Sequence, residues 1–347
     1  MVLLAALYLI ALAMSFFSFF EDRKDVYTRC IFLAVVLLLW CVVAFRPIGS
    51  DADSLTYMFF YHDLGKEFIE ISFVWIVALV HWLFDDVRWL FIIYAVLSVF
   101  LHAEGIRRLS PALLLSVLLW LSHYFIIQDF TQIRVAVSTG LFLIGLSFLA
   151  ERRRLVFFFF IAGAIFAHYS ALAYLPVLFF SNRKLGLKGR IFLAGSILFM
   201  YVLYFAGVDL IFSLPIPYLE VKIDDYERLR DSGMLGDTIN VFNVVFLLRI
   251  FVFFYILVKY EYIVKYHTQI TLLLKVYCCS LCSFLALSSL PIMAGRVSEL
   301  FGIVEIVLFP MILCTIRPLA VGRGILVVFA LGLLSLNLWY NDLINFI

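Results

Sequence analysis

Charge is what this sequence has least of. Only 14% of its 347 residues are Asp, Glu, Lys or Arg, where a soluble domain carries about a quarter, and 65% are apolar, with a mean hydropathy of +1.10. That balance excludes a free-standing soluble domain and reads as an all-α polytopic membrane protein. The net charge is +2, and its cations are scattered over many loops rather than gathered on one surface, so no nucleic acid is expected as a partner. Cysteine is scarce. Cys30, Cys41, Cys278, Cys279, Cys282 and Cys314 all lie in or beside apolar segments, so no structural disulfide is expected. Cys279-x-x-Cys282, inside one apolar helix, reads as packing rather than as a metal site. Gly-x-Ser-x-Gly, His-Glu-x-x-His, a P-loop and the dinucleotide glycine fingerprint are absent, which removes the enzyme classes built on them. No low-complexity linker, composition shift or repeat divides the chain, so residues 1–347 are read as a single integral membrane domain. The first run, Met1 to Phe20, has no positive n-region and is followed by its first charges. It reads as a spanning helix with the N-terminus outside rather than a cleaved signal.

Long apolar runs are what is there. Runs near the roughly 20 residues that cross a bilayer fall at about 1–20, 30–45, 87–105, 111–127, 134–150, 191–209, 241–258, 272–291, 299–316 and 324–340, and shorter ones at 155–167 and 169–181 flank His168. Together they predict about 12 transmembrane helices. Alternation then puts the loops at 21–29, 106–110, 151–154, 182–190, 259–268 and 317–323 on one side, and these hold well over half of the 26 Lys and Arg. By the positive-inside rule that side is cytoplasmic and both termini are outside.

Two substantial segments, 46–86 and 209–240, fall on the outer side. In the first, about 14 residues between Glu70 and Asp85 are too few to span, so an interfacial helix is expected there, with Glu67, Glu70 and His81 near one face. In the second, Leu219, Ile223, Tyr226 and Leu229 recur at helical spacing among charges. That pattern predicts an amphipathic surface helix that serves as a lid or as a plain connector. The short pair around His168 covers roughly 21 Å each, less than the roughly 30 Å hydrocarbon core. His168 is therefore expected in a recess below the outer surface, at the apex of two short spans or of a re-entrant hairpin.

Arg46, Arg134, Arg249 and Arg296 sit at the outer boundary of apolar runs. A guanidinium is always charged and presents a planar fork of donors, so four of them converging would suit a pyrophosphate. The competing reading for each is a structural ion pair, with Asp129 beside Arg134 and Glu299 beside Arg296, or snorkelling in the case of Arg249. A neutral His168 suits proton transfer from a sugar hydroxyl, against the plainer reading of a satisfied core histidine. Asp51 and Asp53 form Asp-x-Asp, which reads better as a base or sugar ligand at Asp53 than as a cation site, and no metal is expected. Tyr57 and Tyr61 suit stacking on a sugar ring or simple interfacial anchoring. Glu305, inside an apolar run, is costly unless it lines a cavity or pairs with Arg296.

In order, Arg46…Asp53…Tyr57, Glu70 with Phe73, Gln132-Ile-Arg134-Val-Ala136, His168-Tyr-Ser170-Ala-Leu172 and Arg296…Phe301 resemble the EpsG-like branch of the Wzy-type bacterial polysaccharide polymerases. The chain departs from that pattern at Val-Ala-Val after Arg134 and at Tyr169 after His168. The resemblance implies a GT-C-like glycosyltransferase of the bacterial inner membrane, with its active site facing the periplasm and no cofactor. It also implies undecaprenyl-pyrophosphate-linked oligosaccharides as substrates, with membrane lipids and a chain-length regulator as partners. His168, Asp53 and Arg134 are then the catalytic candidates, and Arg46, Arg134, Arg249, Arg296, Gln132, Tyr57, Glu70, Ser170 and Glu299 the substrate-binding ones. An O-antigen ligase sharing the pyrophosphate donor, and a transporter or flippase for lipid-linked glycan, are the alternatives. The flippase reading expects inverted repeats that the sequence does not show.

Overall fold

A computed structural model describes residues 2–65, 69–208, 239–341 and 343–344. Glu67 and the surface helix expected around Leu219 to Leu229 lie outside these residues. Every apolar run of the sequence carries helix, and the described residues contain no strand beyond an isolated bridge between Asp51 and Ile344. Hydrocarbon offers the backbone no hydrogen bonds, so a chain this apolar closes them within helices.

By length and composition six helices suffice to cross a membrane: Val26–Ala44, Arg88–Leu109, Ile133–Ala150, Leu187–Phe205, Pro291–Thr315 and Leu319–Tyr340. The pair Leu113–Ser122 and Phe125–Thr131, bent by 72°, makes a seventh. Five shorter apolar helices accompany them, so among the described residues length and composition give six candidate crossings, or seven with the bent pair, against about 12 expected from the sequence. The difference has identifiable causes. The run at 272–291 stops at Ala286 and Pro291 opens a new helix, the two helices that flank His168 are 14 and 11 residues long, and the helix Val244–Ile263 carries Arg249, Lys259 and Glu261.

The chain forms two compact units, residues 1–182 with 305–347, and residues 183–304. The first contains α1 (Val2–Ser18), α2 (Val26–Ala44), α3 (Ser54–His62), α4 (Ile71–Leu83), α5 (Arg88–Leu109) and α6 (Leu113–Ser122). A π-helical turn, Phe125–Thr131, then leads into α7 (Ile133–Ala150), α8 (Arg154–Ala167) and a 3₁₀ helix, Tyr169–Phe179. The described part of the second contains α9 (Leu187–Phe205), α10 (Val244–Ile263), α11 (Ile270–Ala286) and α12 (Pro291–Gly302).

Within the first unit α7 is central, 72% buried over its apolar window. It packs on α5 at a close approach made by glycine. A Cβ on Gly140 would lie 2.7 Å from Leu101 Cβ, and one on Gly105 2.8 Å from Leu143 Cγ. At the start of α7 the backbone arrives through the π turn, where Gln132 N donates to Ile127 O at 3.1 Å. The wider turns and the bend deliver Arg134 into the first turn of α7. On its other side α7 packs on α8, and the Ser72 hydroxyl of α4 donates to Phe166 O at 2.5 Å near the end of α8. Three chain segments far apart in sequence, at 70, 134 and 168, thereby meet.

Candidate functional site

Glu70 is the residue on which the site is built. It is the N-cap of α4, with its carbonyl accepting from Phe73 N at 3.0 Å. A carboxylate in that position ordinarily turns to the helix's own N–H groups, but here it makes no such bond. Instead Oε1 accepts from His168 Nδ1 at 2.6 Å and from Tyr169 N at 3.4 Å, while Oε2 is bonded to Arg134 Nη1. The Glu70 side chain is 3% exposed, whereas those of Arg134 and His168 are 16% and 25% exposed. The carboxylate therefore lies behind, and the imidazole and guanidinium in front keep open edges. Burial by itself raises the Glu70 carboxyl, but the His168 hydrogen bond and the Arg134 and His168 charges outweigh it and hold the group down at about 2. The carboxylate engages Nδ1 and leaves Nε2 on the open edge of the ring.

Aromatic rings complete the setting. The Arg134 guanidinium lies 5.2 Å from the Phe73 ring centre and 5.4 Å from that of Tyr57, favourable positions for a cation over a ring face. Burial pushes the Tyr57 hydroxyl up to about 12, with the Arg134 charge acting against it, so Tyr57 is a neutral donor. Phe91 and Tyr94 of α5 extend the cluster.

Arg46 stands on the same cluster, 4.7 Å from the Phe91 ring centre and 5.2 Å from that of Phe130 in the π turn. It follows the end of α2, where its Nη1 donates to Val43 O at 2.9 Å, a favourable place for a cation. Its Nε donates to Asp51 Oδ2 at 3.2 Å, and both side chains are almost fully shielded. Asp51 Oδ1 accepts from the backbone N of Asp53 and Ser54 at 3.0 and 2.8 Å. Both Asp51 oxygens are thus engaged in holding Arg46 and the start of α3, which leaves the Asp-x-Asp sequence little to offer a cation. Among the described residues no group of three His, Cys, Asp or Glu is placed to hold a metal. Asp53 is the half-buried N-cap of α3, one turn before Tyr57.

The structure thus brings together Glu70, Arg134, His168, Tyr57 and Arg46. Gln132 caps α7, and Ser170 lies in the first turn of the 3₁₀ helix, both half-buried. Arg249, half-buried on α10, Arg296, exposed on α12, and Glu299, one turn beyond it, belong to the other compact unit. One pairing expected from sequence is corrected. Asp129 does not serve Arg134: its oxygens take His102 Nδ1 at 3.1 Å and Trp120 Nε1 at 3.0 Å, because the bend after the π turn sends the two side chains different ways. Glu305 lines a cavity of about 10 Å³ with His123 and Tyr124, at the lower limit for one water. Sequence reasoning passed over Glu70 as the support of His168, Asp51 as the partner of Arg46, and the whole His102 cluster. The signal for the last was present, since a His and an Asp within apolar runs are costly and need partners.

A helical membrane protein with an imidazole and a guanidinium fixed on one buried carboxylate is a polytopic protein that carries a charged cluster among its helices. The chain belongs to the EpsG family, whose model matches residues 29–347 and so takes in the whole of this site. That family suggests a polysaccharide-polymerase-like, glycosyltransferase-like function. No curated protein and no solved structure matches the chain.

Proposed function

We propose that the protein polymerises lipid-linked oligosaccharide repeat units at the periplasmic face of the bacterial inner membrane. It moves the growing glycan from undecaprenyl pyrophosphate onto a second lipid-linked repeat unit, with a GT-C-like architecture. The observation that carries this reading is Glu70 bridging His168 and Arg134, which sets a base and a cation side by side. The excess of Lys and Arg in the alternate loops supports the orientation.

In the reaction, a hydroxyl oxygen of the acceptor sugar attacks the anomeric carbon of the donor. Its proton passes to His168 Nε2, while the bond to the pyrophosphate oxygen breaks and the electron pair leaves with undecaprenyl pyrophosphate. The imidazolium so formed is balanced by Glu70, as in other carboxylate-supported imidazole bases. Arg134 faces the charge that grows on the leaving group, and its place in the first turn of α7 adds the positive end of a helix. Arg46 supports it from the same aromatic cluster, and Tyr57 donates a hydrogen bond. Asp53 contacts sugar, with Gln132 and Ser170 lining the entry.

The test is incubation of purified protein in lipid with candidate lipid-linked repeat units, with and without a chelator. A ladder of lengthened lipid-linked products in both arms is expected. Movement of glycan across the bilayer with no new bond would overturn the reading in favour of a flippase, and a ladder that requires added Mg²⁺ or Mn²⁺ would overturn the metal-free mechanism.

A further inference from the structure

Transfer at Glu70 makes no direct use of a second polar cluster, fully shielded from solvent, around Asp129. His102 of α5 places Nδ1 3.1 Å from Asp129 Oδ1 and 3.1 Å from Ser98 O. Both are acceptors, so Nδ1 carries a proton. Nε2 faces Thr139 Oγ1 at 3.1 Å, and that hydroxyl lies 2.8 Å from Gln128 Oε1. Trp120 Nε1 donates to Asp129 Oδ2 at 3.0 Å. His102, Trp120, Gln128, Asp129 and Thr139 are each 0% exposed.

The cluster ties together four pieces of backbone: α5, α6, the π turn and α7. It sits where α5 and α7 come closest, next to Gly140. As mere glue it is a poor choice, because apolar side chains of similar volume hold helices as well as a buried polar pair does. What it holds gives the reason. The π turn carries Phe130, on whose face the Arg46 guanidinium lies, and ends three residues before Arg134. One short element therefore sets both guanidinium groups, and Asp129 is the point at which that element is fastened. Arg46 Nη2 and Arg134 Nε are buried donors with no acceptor among the described residues, as befits groups set for an anion.

We infer that His102 and Asp129 are positioning residues for the pyrophosphate of the donor: they lock the π turn so that Arg46 and Arg134 meet one anionic group at a fixed spacing. Neither touches substrate. The inference rests on the pyrophosphate reading of Arg134 and deepens it. A small displacement of a charged group at a reaction centre costs up to about 100-fold, so a cluster far from the chemistry still governs it.

The test uses the full chain in detergent and the affinities of geranylgeranyl pyrophosphate and geranylgeranyl monophosphate, measured by calorimetry beside thermal unfolding. The proteins compared are the wild type, His102→Ala, His102→Asn and Arg134→Ala. A purely structural lesion lowers the fraction of protein that binds and leaves the Kd of the remainder unchanged. The expected result is a rise in the Kd for the pyrophosphate by about tenfold or more in His102→Ala, with a narrowed preference over the monophosphate. His102→Asn, which keeps a donor toward Asp129 and Ser98, should recover part of the loss. A folded His102→Ala protein with wild-type Kd and preference overturns the inference while the pyrophosphate reading stands, provided Arg134→Ala loses binding. Wild-type protein that does not prefer pyrophosphate overturns both. If His102→Ala does not accumulate, Trp120→Phe removes the bond to Asp129 Oδ2 while keeping an aromatic ring in the site. Wild-type affinity and preference in that variant would equally overturn the inference.

Discussion

Arg134 and Glu70 show what a single ion pair does in this molecule. Removing one partner of a buried pair strands the other and costs about 3–5 kcal/mol. Arg134→Ala should therefore lose stability as well as activity, although His168 still holds one Glu70 oxygen. Combining Arg134→Ala with Glu70→Gln removes the stranded charge. We expect the double variant to recover membrane protein level and melting temperature but make no polymer, whereas polymer in the double variant would show that the pair is only structural. The acid response of the pair follows from sign. The Glu70 carboxyl sits at about 2 in the folded chain, below its ordinary value of about 4.3, so the stability it contributes is fully present above the ordinary value and is lost as pH falls toward the folded one. The difference in melting temperature between wild type and Glu70→Gln should shrink as the pH falls below about 4.3. A difference that widens on acidification would contradict the pairing. These partners show why the sequence was only half legible at this scale. Arg134, His168, Tyr57 and Arg46 stand out because their chemistry conflicts with their apolar setting. Their partners do not stand out in the same way, since Asp129 is near Arg134 in the chain and Glu70 is 64 residues away.

Among the elements, the short pieces carry the site. α8 and the 3₁₀ helix, with Pro176 inside the latter, present His168 between them in extended conformation. α4 was legible as a helix too short to span, but its cap was not, because an N-cap carboxylate normally serves its own helix. The π turn left no mark in the apolar pattern, which reads straight through 111–127 into the polar break. The packing of α5 on α7 is the element contact on which the rest depends. Gly140→Ala places a methyl group 2.7 Å from Leu101 Cβ, and with backbone rather than a flexible side-chain tip nearby the helices must part. Overpacking of this kind costs about 1–3 kcal/mol. We expect a lowered melting temperature and reduced transfer, because the strain falls beside His102 and Thr139. A variant as stable and active as the wild type would mean that α5 and α7 do not approach at this point.

At the scale of the whole molecule, composition made the class plain. The number of full crossings was the least legible quantity. Apolar runs of 14–17 residues, such as α8 and α11, look like spans to a hydropathy scale but are shorter than the hydrocarbon core. The account of function comes down to whether the imidazole held by Glu70 moves the proton in glycan transfer. The most direct measurement is the single-turnover rate of transfer between purified lipid-linked repeat units by His168→Gln, at matched protein level and saturating lipid. Loss of a positioned general base predicts a fall of about 10²–10⁴-fold with prenyl pyrophosphate affinity retained. A rate within a few-fold of the wild type would contradict the mechanism.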